Sequence, residues 1–278
     1  MTLYLSFRSH NVDGSVAGPQ ALTGDGRAPV LQLRLVGGAE VGSLSAGKNV
    51  LFGVHGFNVS LDYGARSLAQ LEPVLHLKSS EVFIGVLWPG DFWLPVVNYP
   101  FEGSVAMECG RRLADFCNRF LPKAQSLSFV SHSLGVRVVL EAVKNLDRPA
   151  QVLCLTAAAI NRDCLATEYA RAAAKSSAIA ILASHEDWVL KLAYPIGDPI
   201  SDLLHEDHSL FQPALGYGGP PIPTMPPIHL PWQIPDGQSF EHPDYLPPAD
   251  TDKNAAAKWR LAAAFMARAF RGEQQTWP

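Results

Sequence analysis

Leu127-Ser128-Phe129-Val130-Ser131-His132-Ser133-Leu134-Gly135-Val136-Arg137-Val138-Val139-Leu140 is the stretch whose reading decides the fold. Residues 127–130 form a short apolar run that suits a buried strand, and 133–146 carry apolar residues at helical spacing. Between strand and helix lies Ser131-His132-Ser133-Leu134-Gly135, and this is the context in which a G-x-S-x-G pentapeptide acquires meaning. So sharp a turn demands small residues two before and two after Ser133, because larger side chains would collide with neighbouring backbone. Gly135 meets the condition and Ser131 nearly does. Ser133 is therefore expected at the carboxyl edge of a sheet, above a helix N-terminus that favours negative charge. The plain alternative is a strand–helix corner that happens to carry two serines.

Working outward, further apolar runs at 30–36, 49–54, 82–87, 152–156 and 178–183 read as strands buried on both faces. Residues 60–76, 103–120 and 163–176 read as helices between them. Alternating strands and helices predict an α/β protein: a mostly parallel central sheet flanked by helices on both faces, with right-handed crossovers. Residues 1–8 alternate like a strand. From 212 to 248 the chain is rich in Pro and Gly, an insertion that regular helix cannot occupy. Within it, 228–234 suits a last strand, confined to an edge by Pro231. Residues 253–271 read as a terminal helix, capped by Thr251 or Asp252 and closed by Gly272. One domain over 1–278 is expected, with 188–240 as an irregular, cap-like insertion.

Composition narrows the function classes. In 278 residues, 22 Lys and Arg face 26 Asp and Glu, which argues against the clustered cations that nucleic-acid binding needs. The N-terminus lacks the pattern of a signal peptide, and no stretch reaches the roughly 18 apolar residues of a membrane span, so a cytoplasmic protein is expected. Cys109, Cys117, Cys154 and Cys164 include no Cys-x-x-Cys pair and read as reduced core thiols. His205-Glu206-Asp207-His208 falls short of a defined metal site. No Gly-rich phosphate loop is present, so neither metal nor cofactor is expected.

Val54-His55-Gly56-Phe57-Asn58 directly follows the strand 49–54, in the loop upstream of the Ser133 turn. Acyl transfer develops an oxyanion, and two aimed backbone N–H groups lower the barrier by roughly 3 kcal/mol per donor. Leu134 N–H would supply one donor and Phe57 N–H the other. These two motifs, at this separation, resemble the α/β-hydrolase superfamily, and more narrowly its uncharacterised bacterial esterase-like branch with a domain of unknown function. The likeness spans about 49–245; Ser131 departs from the commonest motif, which has Gly there.

The resemblance implies the α/β-hydrolase fold and a triad in the chain order nucleophile, acid, histidine. Ser133 is the candidate nucleophile. Asp187, just beyond the run 178–183, is the candidate acid, with Asp163 in reserve and Glu186 third. His242, between the last strand and the terminal helix, is the candidate base ahead of His208 and His205. His132 is expected to shape the turn. His55, Asn58, His132, Trp88 and Trp93 are candidate lining of a substrate pocket, although the two tryptophans suit core packing equally well.

The expectation is a cofactor-free serine hydrolase acting on a small-molecule carboxylic ester of small or medium apolar size. Thioester, amide and acyl-transfer chemistry suit the same site, and the rivals from other classes are a non-catalytic hydrolase-fold scaffold and a nucleotide-binding domain.

Overall fold

The computed structural model describes residues 1–9, 15–91, 99–192, 213–221, 227–229, 232–249, 258–273 and 277. Trp93, Thr251, Asp252 and the group His205-Glu206-Asp207-His208 lie outside them. Nine strands form one sheet in the order β3-β2-β1-β5-β4-β6-β7-β8-β9. They are β1 (Thr2–Arg8), β2 (Val16–Gly24), β3 (Leu33–Leu35), β4 (Asn49–Val54), β5 (Glu81–Leu87), β6 (Ser126–His132), β7 (Ala150–Thr156), β8 (Ser176–Leu182) and β9 (Ile228–His229). From β1 through β9 every neighbouring pair is parallel, while β2 and β3 add an antiparallel edge.

Why the central strands lack simple alternation is visible in β4, where Val50, Phe52 and Val54 enter one apolar core and Leu51 the other. One face is covered by α1 (Gly38–Ser45), α3 (Tyr99–Phe120), α4 (Gly135–Asn145) and α5 (Ala170–Ala174). The other is covered by α2 (Leu61–Val74), α6 (Trp188–Leu192) and the terminal helix, here α8 (Lys258–Phe270). A short α7 (Leu215–Gly218) lies between α6 and β9. The parallel sheet with helices on both faces is thus as expected. Among the described residues, no helix is long and apolar enough to cross a membrane.

Two expectations are corrected. The run 30–36 is no buried strand: only Leu33–Leu35 pairs, antiparallel to β2, with Val30 69% and Leu35 66% exposed. Strand β2, for which no expectation was formed, carries Pro19 where pairing with β1 is irregular, between Ser6 and Arg8, and outside the β3 partners Leu22, Thr23 and Gly24. The helix expected over 163–176 is reduced to Ala170–Ala174, preceded by turns in which Ala166 and Tyr169 N–H donate to the Asp163 and Cys164 carbonyls. The last strand does lie at the edge, beside β8: Ile228–His229 pairs with Ile179 and Ala180, and Gln233 bridges Ala183 in the same parallel sense.

The order of the strands positions the site. From β4 the chain crosses to β5 on one side, then returns past β4 to β6 on the other, so the connections diverge between β4 and β6. Ligand crevices in open α/β sheets form at the carboxyl ends of strands where the winding reverses. Here β4 delivers His55-Gly56-Phe57, and β6 delivers Ser133.

Candidate functional site

Ser133 sits at the tip of the β6–α4 turn with φ +54, a left-handed conformation that β6 and α4 impose on a residue with a Cβ. The turn is pinned by its own backbone: Ser133 N–H donates to Thr156 O at 3.0 Å, and Ser133 O accepts from Val136 N–H at 3.1 Å. Gly135 is required by contact, since a Cβ there would fall 2.3 Å from His55 O. Gly56 is required likewise, because its Cβ would lie 2.9 Å from Ser133 Cβ. The loop after β4 therefore presses directly on the turn after β6.

The structure brings Ser133, His242 and Asp187 together. Ser133 Oγ lies 2.8 Å from His242 Nε2, and His242 Nδ1 lies 2.8 Å from Asp187 Oδ2. Asp187 is fully buried in the loop after β8, and its other oxygen accepts Leu190 N–H at 3.0 Å, capping α6. With the carboxyl accepting at Nδ1, that nitrogen carries the proton, and Nε2 is left to accept from the Ser133 hydroxyl.

His242 begins a 3₁₀ turn, His242–Tyr245, anchored by buried Phe240 and Tyr245. Ser184 Oγ–H donates to Phe240 O at 2.7 Å, and Glu241 N–H donates to Asp244 Oδ2 at 2.8 Å. His132 Nε2 lies 2.7 Å from the His242 carbonyl. A carbonyl only accepts, so His132 Nε2 bears a proton. Burial, reinforced by neighbouring His242, drives the His132 pKa down to about 3. Burial acts in the same direction on His55, with Arg8 adding to it, and brings that pKa to about 3 as well. Both rings are neutral over the range in which a hydrolytic site works.

The reserve acid Asp163 instead serves the turn before α5 through its carbonyl, and Glu186 N–H donates to Ser184 Oγ at 3.1 Å. Neither forms a hydrogen bond or ion pair with His242. The cysteines are all buried, and burial pushes the Cys154 thiol up to about 12 and those of Cys117 and Cys164 higher still. Such thiols are poor nucleophiles.

A cleft of about 570 Å³ opens beside His132 and His242. Phe57, Tyr63, Val189 and Leu246 give it apolar walls, and His55 and Asn58 contribute to its lining. Trp88, which suits cleft lining and core packing equally well from the sequence, is not in it. The ring is fully buried, stacks on His55 at 5.8 Å, and its Nε1–H donates to His55 O at 2.8 Å, so it supports the loop after β4 from behind. Sequence reasoning passed over Tyr63, Val189, Leu246 and Asp91. Val189 and Leu246 lie two and four residues from Asp187 and His242, a closeness in the chain that was there to use. Arg8 had no comparable signal: from the end of β1 its guanidinium pairs with Asp91 and donates to Val59 O, tying two rim loops together.

Among the described residues, Phe57 N–H and Leu134 N–H donate to no protein acceptor. The model of a family of α/β-hydrolases of unknown function (DUF900) matches residues 40–205. That span includes Ser133 and Asp187 but stops short of His242. No curated protein matches the chain.

Proposed function

The chain belongs to this α/β-hydrolase family, and from that premise we propose that it is a serine hydrolase cleaving carboxylic esters through Ser133, His242 and Asp187. The observation that carries the reading is the continuous chain of two 2.8 Å contacts from hydroxyl to imidazole to buried carboxyl. As Ser133 Oγ attacks the ester carbonyl carbon, its proton passes to His242 Nε2, and Asp187 stabilises the resulting cation. The tetrahedral oxyanion accepts from Phe57 and Leu134 N–H, and that these donate to no protein acceptor among the described residues supports this role. Collapse expels the alcohol, which takes the proton from His242 and leaves an acyl group on Ser133. Water then attacks the acyl-enzyme, giving His242 its proton, and Ser133 recovers that proton as the acid departs. The apolar walls of the cleft favour small or medium apolar esters.

A fluorophosphonate probe and a panel of esters of graded acyl length test the reading. Wild-type protein should label and hydrolyse, and Ser133→Ala should do neither, with a loss of at least about 10⁴-fold in kcat. A wild-type protein that fails to label and cleaves no ester would overturn the reading in favour of a non-catalytic scaffold.

A further inference from the structure

We infer that His132 is a positioning residue: its Nε2–H holds the backbone carbonyl of His242 and so fixes the base relative to Ser133. The inference rests on the serine-hydrolase reading and assigns a separate task to the histidine that precedes the nucleophile.

His242 stands on a loop far along the chain from β6, and its ring uses both nitrogens, one toward Ser133 and one toward Asp187. Those contacts orient the ring only if its Cα is held. The ties at Phe240 and Asp244 flank that position, whereas the 2.7 Å bond from His132 grips the carbonyl of His242 itself. The grip comes from the last residue of β6, the residue bonded to Ser133. One rigid element therefore sets both the nucleophile and the place of its base.

The surroundings leave the His132 ring little freedom. It packs against the His242 ring at 4.8 Å and the Tyr245 ring at 5.9 Å, and a Cβ on Gly56 would come within 2.8 Å of its Nδ1. Its single proton is committed to the carbonyl. Being neutral, the ring adds no repulsive charge when His242 becomes an imidazolium 4.8 Å away. A phenylalanine would fill the space without donating, whereas glutamine carries an N–H at similar reach.

The test compares His132→Phe and His132→Gln with wild type in the full chain. It measures kcat and KM on the best ester, and the low-field proton NMR signal of the His242 Nδ1–H bond to Asp187. His132→Phe should lower kcat about 100-fold with KM unchanged, the scale expected for misplacing a reacting group by about 1 Å. It should also broaden or erase the low-field signal. His132→Gln should restore the signal and most of kcat. Retention of kcat and signal in His132→Phe would overturn the inference, as would an equal loss in both variants. Failure of the hydrolase reading is distinguishable, because it shows as an inactive wild type, while the NMR comparison still reports on the tie without substrate.

Discussion

The parallel centre of the sheet and its antiparallel flank are built from similar apolar runs and do different work. In the centre, Phe52 and Phe129 are fully buried and stack with centroids 5.0 Å apart, and strand ends lead into backbone that ordinary residues avoid. Asn58, Ser133 and Ala157, after β4, β6 and β7, all have positive φ. In the flank, Val30 and Leu35 stand largely in solvent, and no described residue of β1, β2 or β3 adopts a positive φ without being glycine. The lesson is that strain collects where side chains must be aimed, and that the well-packed strands behind it bear its cost.

Phe129→Ala empties the middle of the central core and should cost about 4 kcal/mol, read by urea unfolding; a loss below about 1 kcal/mol would deny the centre its role. Acid should act next. His55 and His132 have folded-state pKa values lowered from 6.5 to about 3, so below pH 6.5 the unfolded chain binds more protons than the folded one. Stability is then flat above about pH 6.5 and falls as pH drops toward 3. For enclosed His55 the loss at pH 5 is about 2 kcal/mol, and it is smaller for His132, whose edge faces the cleft. Unfolding at about pH 7.5 and about pH 5 measures it, and His55→Gln should narrow the gap.

Strain at the rim can be probed directly. Ser133→Gly removes the Cβ from a left-handed position and should raise stability by about 1 kcal/mol while ending any reaction at Ser133. A destabilised variant would mean that the turn is relaxed. Smallest of all, Leu35→Ala on the flank should change stability by no more than about 0.5 kcal/mol, because that side chain is already 66% exposed.

How far the chain could be read in advance follows the same division. The central strands were legible because burial on both faces leaves short unbroken apolar runs, and α2 because one-sided burial leaves a period near 3.6, whereas α4, buried on all sides over 135–143, was legible from its length and from the turn that opens it. The Ser133 turn was legible because tight turning restricts its neighbours to small residues. The run 30–36 misled, since an apolar run looks alike at an edge and in a core. Trp88 was open between cleft lining and core packing, since a ring lining a cleft and a ring supporting a loop leave the same letter in the sequence, and burial at 0% decides for the second.

By itself the sequence determined that the central segments 49–54, 82–87, 127–130, 152–156 and 178–183 are strands of a covered sheet and that Ser133 rides a strand–helix turn, because these depend on periodicity and on sterics between near neighbours. Tertiary structure alone decided that Asp187 rather than Asp163 meets His242, that His132 holds the loop bearing that ring, and that Arg8 ties the rim. Those are distances of a few ångströms between residues up to 110 positions apart, and they arise only when the strands fall into order and carry their ends to a common edge.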